Sequence, residues 1–179
     1  MRQIRPIAPQ MLAACGLPRP GTWVTVTGEK IMIGLLQRVT RADVVTDGAT
    51  IAEIGPGLAV LVGVERGDGH REAARLLERL LAYRVFPDNE GRMNHSLRDI
   101  DGELLLVPQF TLAADTAQGN RPGFSKAAPP EVGEALFLDL VQVAEASGVR
   151  TATGRFGAMM DVTMTNTGPV TFWLRVPPI

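Results

Sequence analysis

Cysteine occurs once in these 179 residues and histidine twice. Cys15 alone closes no internal disulfide, and nothing beside it lowers its pKa, so it reads as an inert thiol in a chain suited to a reducing cytoplasm. His70 and His95 stand in polar loop contexts with no third ligand at zinc spacing, and neither adjoins a Gly-x-Ser-x-Gly elbow. A metal centre and a Ser-His-Asp triad are therefore set aside. No phosphate-cradling Walker sequence and no dinucleotide fingerprint occurs, so neither metal nor cofactor is expected. Charge of one sign is also lacking. Lys plus Arg number 18 against 19 Asp plus Glu, a net charge of −1, so no global basic field holds a long nucleic acid by its phosphates. A nucleic-acid partner has to be gripped locally. No stretch reaches the roughly 18 to 20 apolar residues of a membrane span. The run at 11–17 superficially resembles a signal peptide, but it is short and Pro6, Pro9, Pro18 and Pro20 break it up.

A hydrophobic content of 45% fits one domain with a sizeable core. Residues 1–30 read as an irregular N-terminal extension; a misplaced translation start is the expectation, which N-terminal sequencing of the native protein settles. The remaining residues, 31–179, read as a single domain without internal repeat or linker. Short strands are expected at 33–39, 43–46 and 50–54, with Asp47-Gly48 a turn signal between the last two. The nearly unbroken apolar run 58–64 marks a strand covered on both faces and central to its sheet. At 71–84 the period changes: Ala73, Leu76, Leu77, Leu80 and Leu81 recur at helical spacing, with Asp68 as the expected cap and Glu72 in the first turn. A turn at 87–91 precedes a buried strand at 103–107. The Gly- and Pro-containing stretch 115–130 is a long loop of the kind that covers a site. Pro130 and Glu131 open a second helix whose Leu136, Phe137, Leu140, Val141 and Ala144 form one apolar stripe up to Gly148. Strands at 161–165 and 170–176 close the chain. The fold class expected is α+β: a single domain with a curved mixed β-sheet or barrel-like core and two main amphipathic helices.

The chemistry-bearing residues are of an unusual kind. Asn166-Thr167-Gly168-Pro169-Val170-Thr171 sets a Gly-Pro pair between two β-rich runs, which fixes a backbone and can aim a carbonyl at a ligand. In Pro108-Gln109-Phe110-Thr111, Thr111 is the tempting nucleophile, yet no base stands beside it in sequence. A positional role for its hydroxyl and N–H is preferred to covalent attack. Met159 and Met160 are expected to pack in the core.

The stretch 104–115, followed by Asn120-Arg121-Pro122-Gly123-Phe124-Ser125, with 154–162 and the opening Gln37-Arg38-Val39, resembles the D-aminoacyl-tRNA deacylase family, also called D-tyrosyl-tRNA deacylase. The resemblance runs from about Met32 to Val176. The family's Asn-x-Gly-Pro-Val-Thr motif is matched in full; its Ser-Gln-Phe-Thr motif departs at one position, where Pro108 stands for serine. The resemblance implies hydrolysis of the ester of D-aminoacyl-tRNA, with Gly-tRNA as a further substrate, in the cytoplasm. Catalytic residues would be Gln109, Phe110 and Thr111, with backbone donors at Phe110 and Thr111 as the oxyanion site. The terminal adenosine's 2′-hydroxyl would assist. Gly168 and Pro169, joined by a cis bond, would filter chirality, with Arg38 anchoring their loop; Phe156 either lines the adenosine or chirality wall or packs as a buried aromatic in the core. A homodimer is implied in which each Gly-Pro loop completes its partner's pocket around the tRNA 3′ end. Two other functions are weighed: an L-selective proofreader of the same fold with a trans Gly-Pro pair, and a non-enzymatic DNA-binding dimer.

Overall fold

The structure is a computed structural model, and it describes residues 31–117 and 119–177. The extension at 1–30, Cys15 included, lies outside the described residues. Among the described residues, eight strands and two long helices follow in the order β1 (Met32–Thr46), β2 (Ala49–Ile54), β3 (Gly57–Gly63), α1 (His70–Ala82), β4 (Phe86–Pro87), β5 (Met93–His95), β6 (Glu103–Pro108), α2 (Pro130–Ala146), β7 (Thr151–Thr153) and β8 (Asp161–Val176). The main sheet runs β2-β1-β3-β6-β7, with β8 on β1. Pairings of β1 with β2, β3 and β8 are antiparallel, while β3-β6 and β6-β7 are parallel.

Instead of two short strands, 33–39 and 43–46 form one. β8 pairs with β1 from Met32 to Val45, while the opposite edge of β1 is taken first by β3 and then by β2. One long strand serving three partners is what curls the sheet.

Two apolar clusters result. One lies between the sheet and both helices, where Leu58, Val60, Leu104 and Leu106 meet Leu76, Leu80, Phe137 and Leu140. The other fills the inside of the curl with Val39, Val44, Ala59, Leu105 and Val107. The run 58–64 is apolar throughout because alternate residues of β3 face different clusters, as do those of β6. Each fully buried leucine contributes about 1.5–3 kcal/mol relative to exposure.

One expectation at α1 is corrected, while Glu72 stands in the first turn as expected. Gly69, not Asp68, is the N-cap residue. The Asp68 carboxylate accepts the Glu65 N–H at 2.8 Å and so closes the turn before the helix, whereas Glu72 reaches back to accept the Gly69 N–H at 2.8 Å. Met159 is also misread as core: it is 92% exposed, and only Met160 packs, against the inner cluster.

Candidate functional site

At its end, β6 is drawn to β3 by a hydrogen bond from the Gln109 N–H to the Val62 carbonyl at 2.7 Å. The chain then leaves the strand. Residues Phe110–Ala113 wind into a 3-10 turn, so the Gln109, Phe110 and Thr111 motif sits on a helical turn rather than a strand end. The Leu112 N–H closes that turn on the Gln109 carbonyl at 3.2 Å. Phe110 and Thr111 hold the turn's first amides, which by geometry have no acceptor within it. Both residues are exposed. The Gln109 side-chain amide donates to the Thr111 hydroxyl, which orients that oxygen without supplying a base. His70 is engaged instead with Asp139 of α2. Among the described residues no group of three or more His, Cys, Asp or Glu side chains is placed to hold a metal ion.

A wall rises beside the turn from the 115–130 loop. Its base is strapped to the end of β3: the Arg66 N–H donates to the Lys126 carbonyl at 2.8 Å, the Ala128 N–H to the Val64 carbonyl at 3.0 Å and Arg66 Nε to the Ser125 carbonyl at 2.9 Å. Asp115 and Gly123 exchange backbone hydrogen bonds at 2.7 and 2.9 Å, which shortens the free part of the loop. The Phe124 ring is thereby held 5.1 Å from that of Phe110, tilted by 51°. Both rings stay solvent-exposed, an apolar ledge next to the turn's first two amides. The N–H of Ala117, and then Lys126, hold the Asp115 carboxyl below its ordinary range. It is an ionised loop fastener, not a proton donor. Burial pushes Glu65 up, against the opposing pull of Arg175 and Lys126.

The Gly-Pro segment is a bulge in β8 rather than a break between two strands. Gln37 pairs with Thr171 and Val39 with Asn166, so β1 advances two residues (39 − 37) while β8 advances five (171 − 166). The surplus projects as a loop. Asn166 pins its base: its Oδ1 accepts the Val170 N–H at 2.8 Å and its Nδ2 donates to the Thr171 hydroxyl at 3.0 Å. Arg38 holds its tip, donating from Nε to the Thr167 carbonyl at 3.1 Å and from Nη1 to the Val85 carbonyl at 2.6 Å. The Gly168-Pro169 bond is cis, and Gly168 has φ +125°. A Cβ there would sit 2.8 Å from Arg38 Nη2 and from Val170 Cγ2, and the positive φ strains any side chain at this position.

These two assemblies stand apart within one chain. Arg38 pairs with Leu58 near the start of β3, whereas Pro108 pairs with Val62 near its end. At about 3.3 Å per residue this separates them by roughly 13 Å along the strand, before the lateral step from β1 to β6 is added. The structure thus groups Arg38 with Gly168 and Pro169, and groups Gln109 with Phe110 and Thr111. Phe156 belongs to neither group. Its ring is half-buried against the core and would meet a Cβ on Gly133 of α2 at 3.4 Å. It lines a cleft of about 360 Å³ with Thr153, Gly154, Arg155 and Leu138. At Gly154 that cleft comes close to the end of β6, where an added Cβ would meet Pro108 Cδ at 3.3 Å.

Sequence alone assigns no role to Phe124, Asn166 or Gly63. An isolated glycine inside a strand-like apolar run signals close backbone approach, and Gly63 in 58–64 carries that signal.

A family model described as D-Tyr-tRNA(Tyr) deacylase matches residues 35–175. That match places the chain among hydrolases that act on aminoacyl-tRNA. A D-aminoacyl-tRNA deacylase of Nitrosococcus oceani is 61% identical over 147 residues, covering 82% of this chain and 95% of the relative. One from Thioalkalivibrio sulfidiphilus is 59% identical, covering 82% and 99%. Among solved structures, the c-Myc DNA Unwinding Element Binding Protein superposes with TM-score 0.77 at 35% identity, covering 82% of this chain and 99% of the other. A probable eukaryotic D-amino acid tRNA deacylase superposes with TM-score 0.68 at 19% identity, covering 82% and 100%, which is a likeness of fold. The chain belongs to the D-Tyr-tRNA(Tyr) deacylase family.

Proposed function

We propose that this protein hydrolyses the ester linking a D-amino acid to the 3′ end of tRNA, releasing free D-amino acid and tRNA, and that it also clears Gly-tRNA. The observation that carries the reading is the turn at Phe110 and Thr111, whose first two amides have no acceptor within the turn and stand beside an apolar ledge, with no side-chain base beside them among the described residues. Such a site suits an ester that is already activated. The carbonyl oxygen accepts from the two N–H groups, and water adds to the carbonyl carbon. The C–O3′ bond then breaks, and the ribose oxygen takes up a proton. Charge that develops on the carbonyl oxygen is met by preorganised donors, each worth on the order of 10²- to 10³-fold in rate. The vicinal 2′-hydroxyl of the substrate moves the proton, a task for which the described residues place no side chain beside the turn. Thr111 positions the ester.

Chirality is read by exclusion. The Gly168 carbonyl takes the ammonium group, and the Gly168-Pro169 wall occupies the direction in which an L side chain would point. D-residues and glycine fit without a contact to any particular side chain, so specificity for the amino acid is broad. Since the loop and the turn are far apart in one chain, the loop that completes each site comes from a second copy, in a homodimer of two-fold symmetry. The cytoplasm is the compartment where such a substrate is met. Among the described residues no helix is long and apolar enough to cross a membrane.

A second reading, a non-enzymatic DNA-binding dimer, draws on the similarity to the DNA-unwinding-element binding protein. The net charge of −1 opposes it. An L-selective proofreader is the third. Incubating purified protein, with chelator, against D-Tyr-tRNA, L-Tyr-tRNA and Gly-tRNA separates them. Loss of the D and glycyl esters with L spared supports the proposal. L-ester loss alone supports the third reading, and intact esters with salt-sensitive DNA binding support the second.

A further inference from the structure

Gly63 ends β3 directly beneath the turn that carries Gln109, Phe110 and Thr111. A Cβ on it would lie 2.9 Å from Leu112 Cβ, 3.4 Å from the Gln109 carbonyl oxygen and 3.6 Å from Ile33 Cβ. The first distance is shorter than carbon atoms tolerate, since contact between them is optimal at about 3.5–4.0 Å. Neither Leu112 Cβ nor the Gln109 carbonyl is the far end of a flexible side chain. Both are carried by the turn's own backbone and move only when it moves. Gly63 is not in the left-handed region of backbone space, and it pairs in regular register with Ile33. Any residue could adopt its backbone; what the position requires is the missing side chain.

We infer that Gly63 is a positioning residue for ester hydrolysis: by lacking a side chain it lets the turn settle onto the end of β3, and so sets where the Phe110 and Thr111 amides point. This role rests on the hydrolysis proposed above. The hydrogen bond from Gln109 to Val62 draws the turn toward β3 at one end, and buried Ala113 holds it at the other. Between them Leu112 rests on Gly63 and determines the height of the turn. An added methyl group would lift the turn by about 0.5–1 Å to restore ordinary contact. Phe110 and Thr111 face solvent, so the turn can rise without opening either apolar cluster. The donors are displaced while the fold persists, and misplacement on the order of 1 Å costs about 10²-fold in rate.

The test measures single-turnover hydrolysis of D-Tyr-tRNA and thermal midpoints for wild type, Gly63→Ala, Leu112→Gly and the double variant. Leu112→Gly removes the carbon that the new methyl would meet. The expected result is a loss of about 10²-fold for Gly63→Ala that exceeds its change in folded fraction, shrinking below about threefold when introduced into Leu112→Gly. Gly63→Ala within about threefold of wild type would overturn the inference, as would an equal loss in both backgrounds. So would a loss that only follows the folded fraction, the glycine then being structural alone. A wild-type protein that leaves the D-ester intact fails at the earlier step and removes the hydrolysis reading with this role.

Discussion

Arg38 binds Thr167 and Val85 at once: its Nε donates to the Thr167 carbonyl at 3.1 Å and its Nη1 to the Val85 carbonyl at 2.6 Å. A single half-buried guanidinium therefore fastens the Gly-Pro loop to the segment that follows α1, in which Val85 is fully buried. The rigid planar fork of the guanidinium spreads its donors so that one side chain makes both bonds at once.

Arg38→Ala leaves a buried carbonyl unpartnered and a loop untied. Urea unfolding should show a loss of about 1–3 kcal/mol. Hydrolysis of D-Tyr-tRNA should fall by about 10- to 100-fold, because the loop loses its aim as well as its support. Arg38→Lys, with one compact ammonium, should recover stability more than selectivity against L-Tyr-tRNA. Equal recovery of both would show that the fork is not what matters.

Pro108 stands where the motif that this chain resembles has serine, and the register of β6 indicates what the proline leaves in place. Along β6 the even-numbered residues turn their backbone groups toward β7, as the bond from Leu104 N–H to the Arg150 carbonyl shows, while Gln109 turns toward β3. Position 108 thus faces β7, which ends at Thr153. The proline removes no ladder hydrogen bond there. Pro108→Ser should leave the steady-state kcat/KM for D-Tyr-tRNA within about threefold. It should lower stability by about 0.4–1 kcal/mol through a freer unfolded chain. A gain of tenfold or more in kcat/KM, on the order of 1.4 kcal/mol, would assign the serine hydroxyl a chemical part in relatives.

Glu65 carries a pH signature. Burial raises its folded pKa above the unfolded value, despite Arg175 and Lys126. The folded state thus holds its proton more tightly, and folding is penalised as pH rises through the unfolded pKa and beyond. Glu65→Gln should therefore unfold at a higher temperature than wild type at neutral pH, with the gap closing as pH falls below the ordinary glutamate range. Asp99 runs the other way. Its pKa is lowered by the Ser96 N–H and hydroxyl, so its contribution is present above the unfolded aspartate pKa and is lost in acid. Thermal melts of Glu65→Gln and Asp99→Asn from pH 3 to 8 check both signs, and parallel profiles would refute them.

What could be read from the sequence was local. The 58–64 run and the stripes of α1 and α2 announce themselves because burial on two faces or one leaves a periodic trace. The continuity of β1 left none, since it depends on β8, more than a hundred residues further on. Asp68 resembled a cap because a carboxylate before a helix usually is one; here the Glu65 N–H competed for it and won. The motif at 109–111 was legible as residues but not as a helical turn. Nothing in the spacing of Arg38, Gln109 and Gly168 disclosed that the two motifs occupy different ends of β3, which is a property of strand register alone.

That separation makes the account testable in one mixture. Gly168→Val, which the φ of +125° and the 2.8 Å approach to Arg38 disfavour, disables the loop. Thr111→Pro removes an amide from the turn. Differently tagged chains carrying one change each are co-expressed, purified through both tags and assayed on D-Tyr-tRNA. With each site built from one chain's turn and its partner's loop, either variant alone is inactive, while the mixed dimer has one intact site and about half the wild-type rate. A mixed dimer as inactive as its parents would contradict the account, because turn and loop would then have to act within one chain.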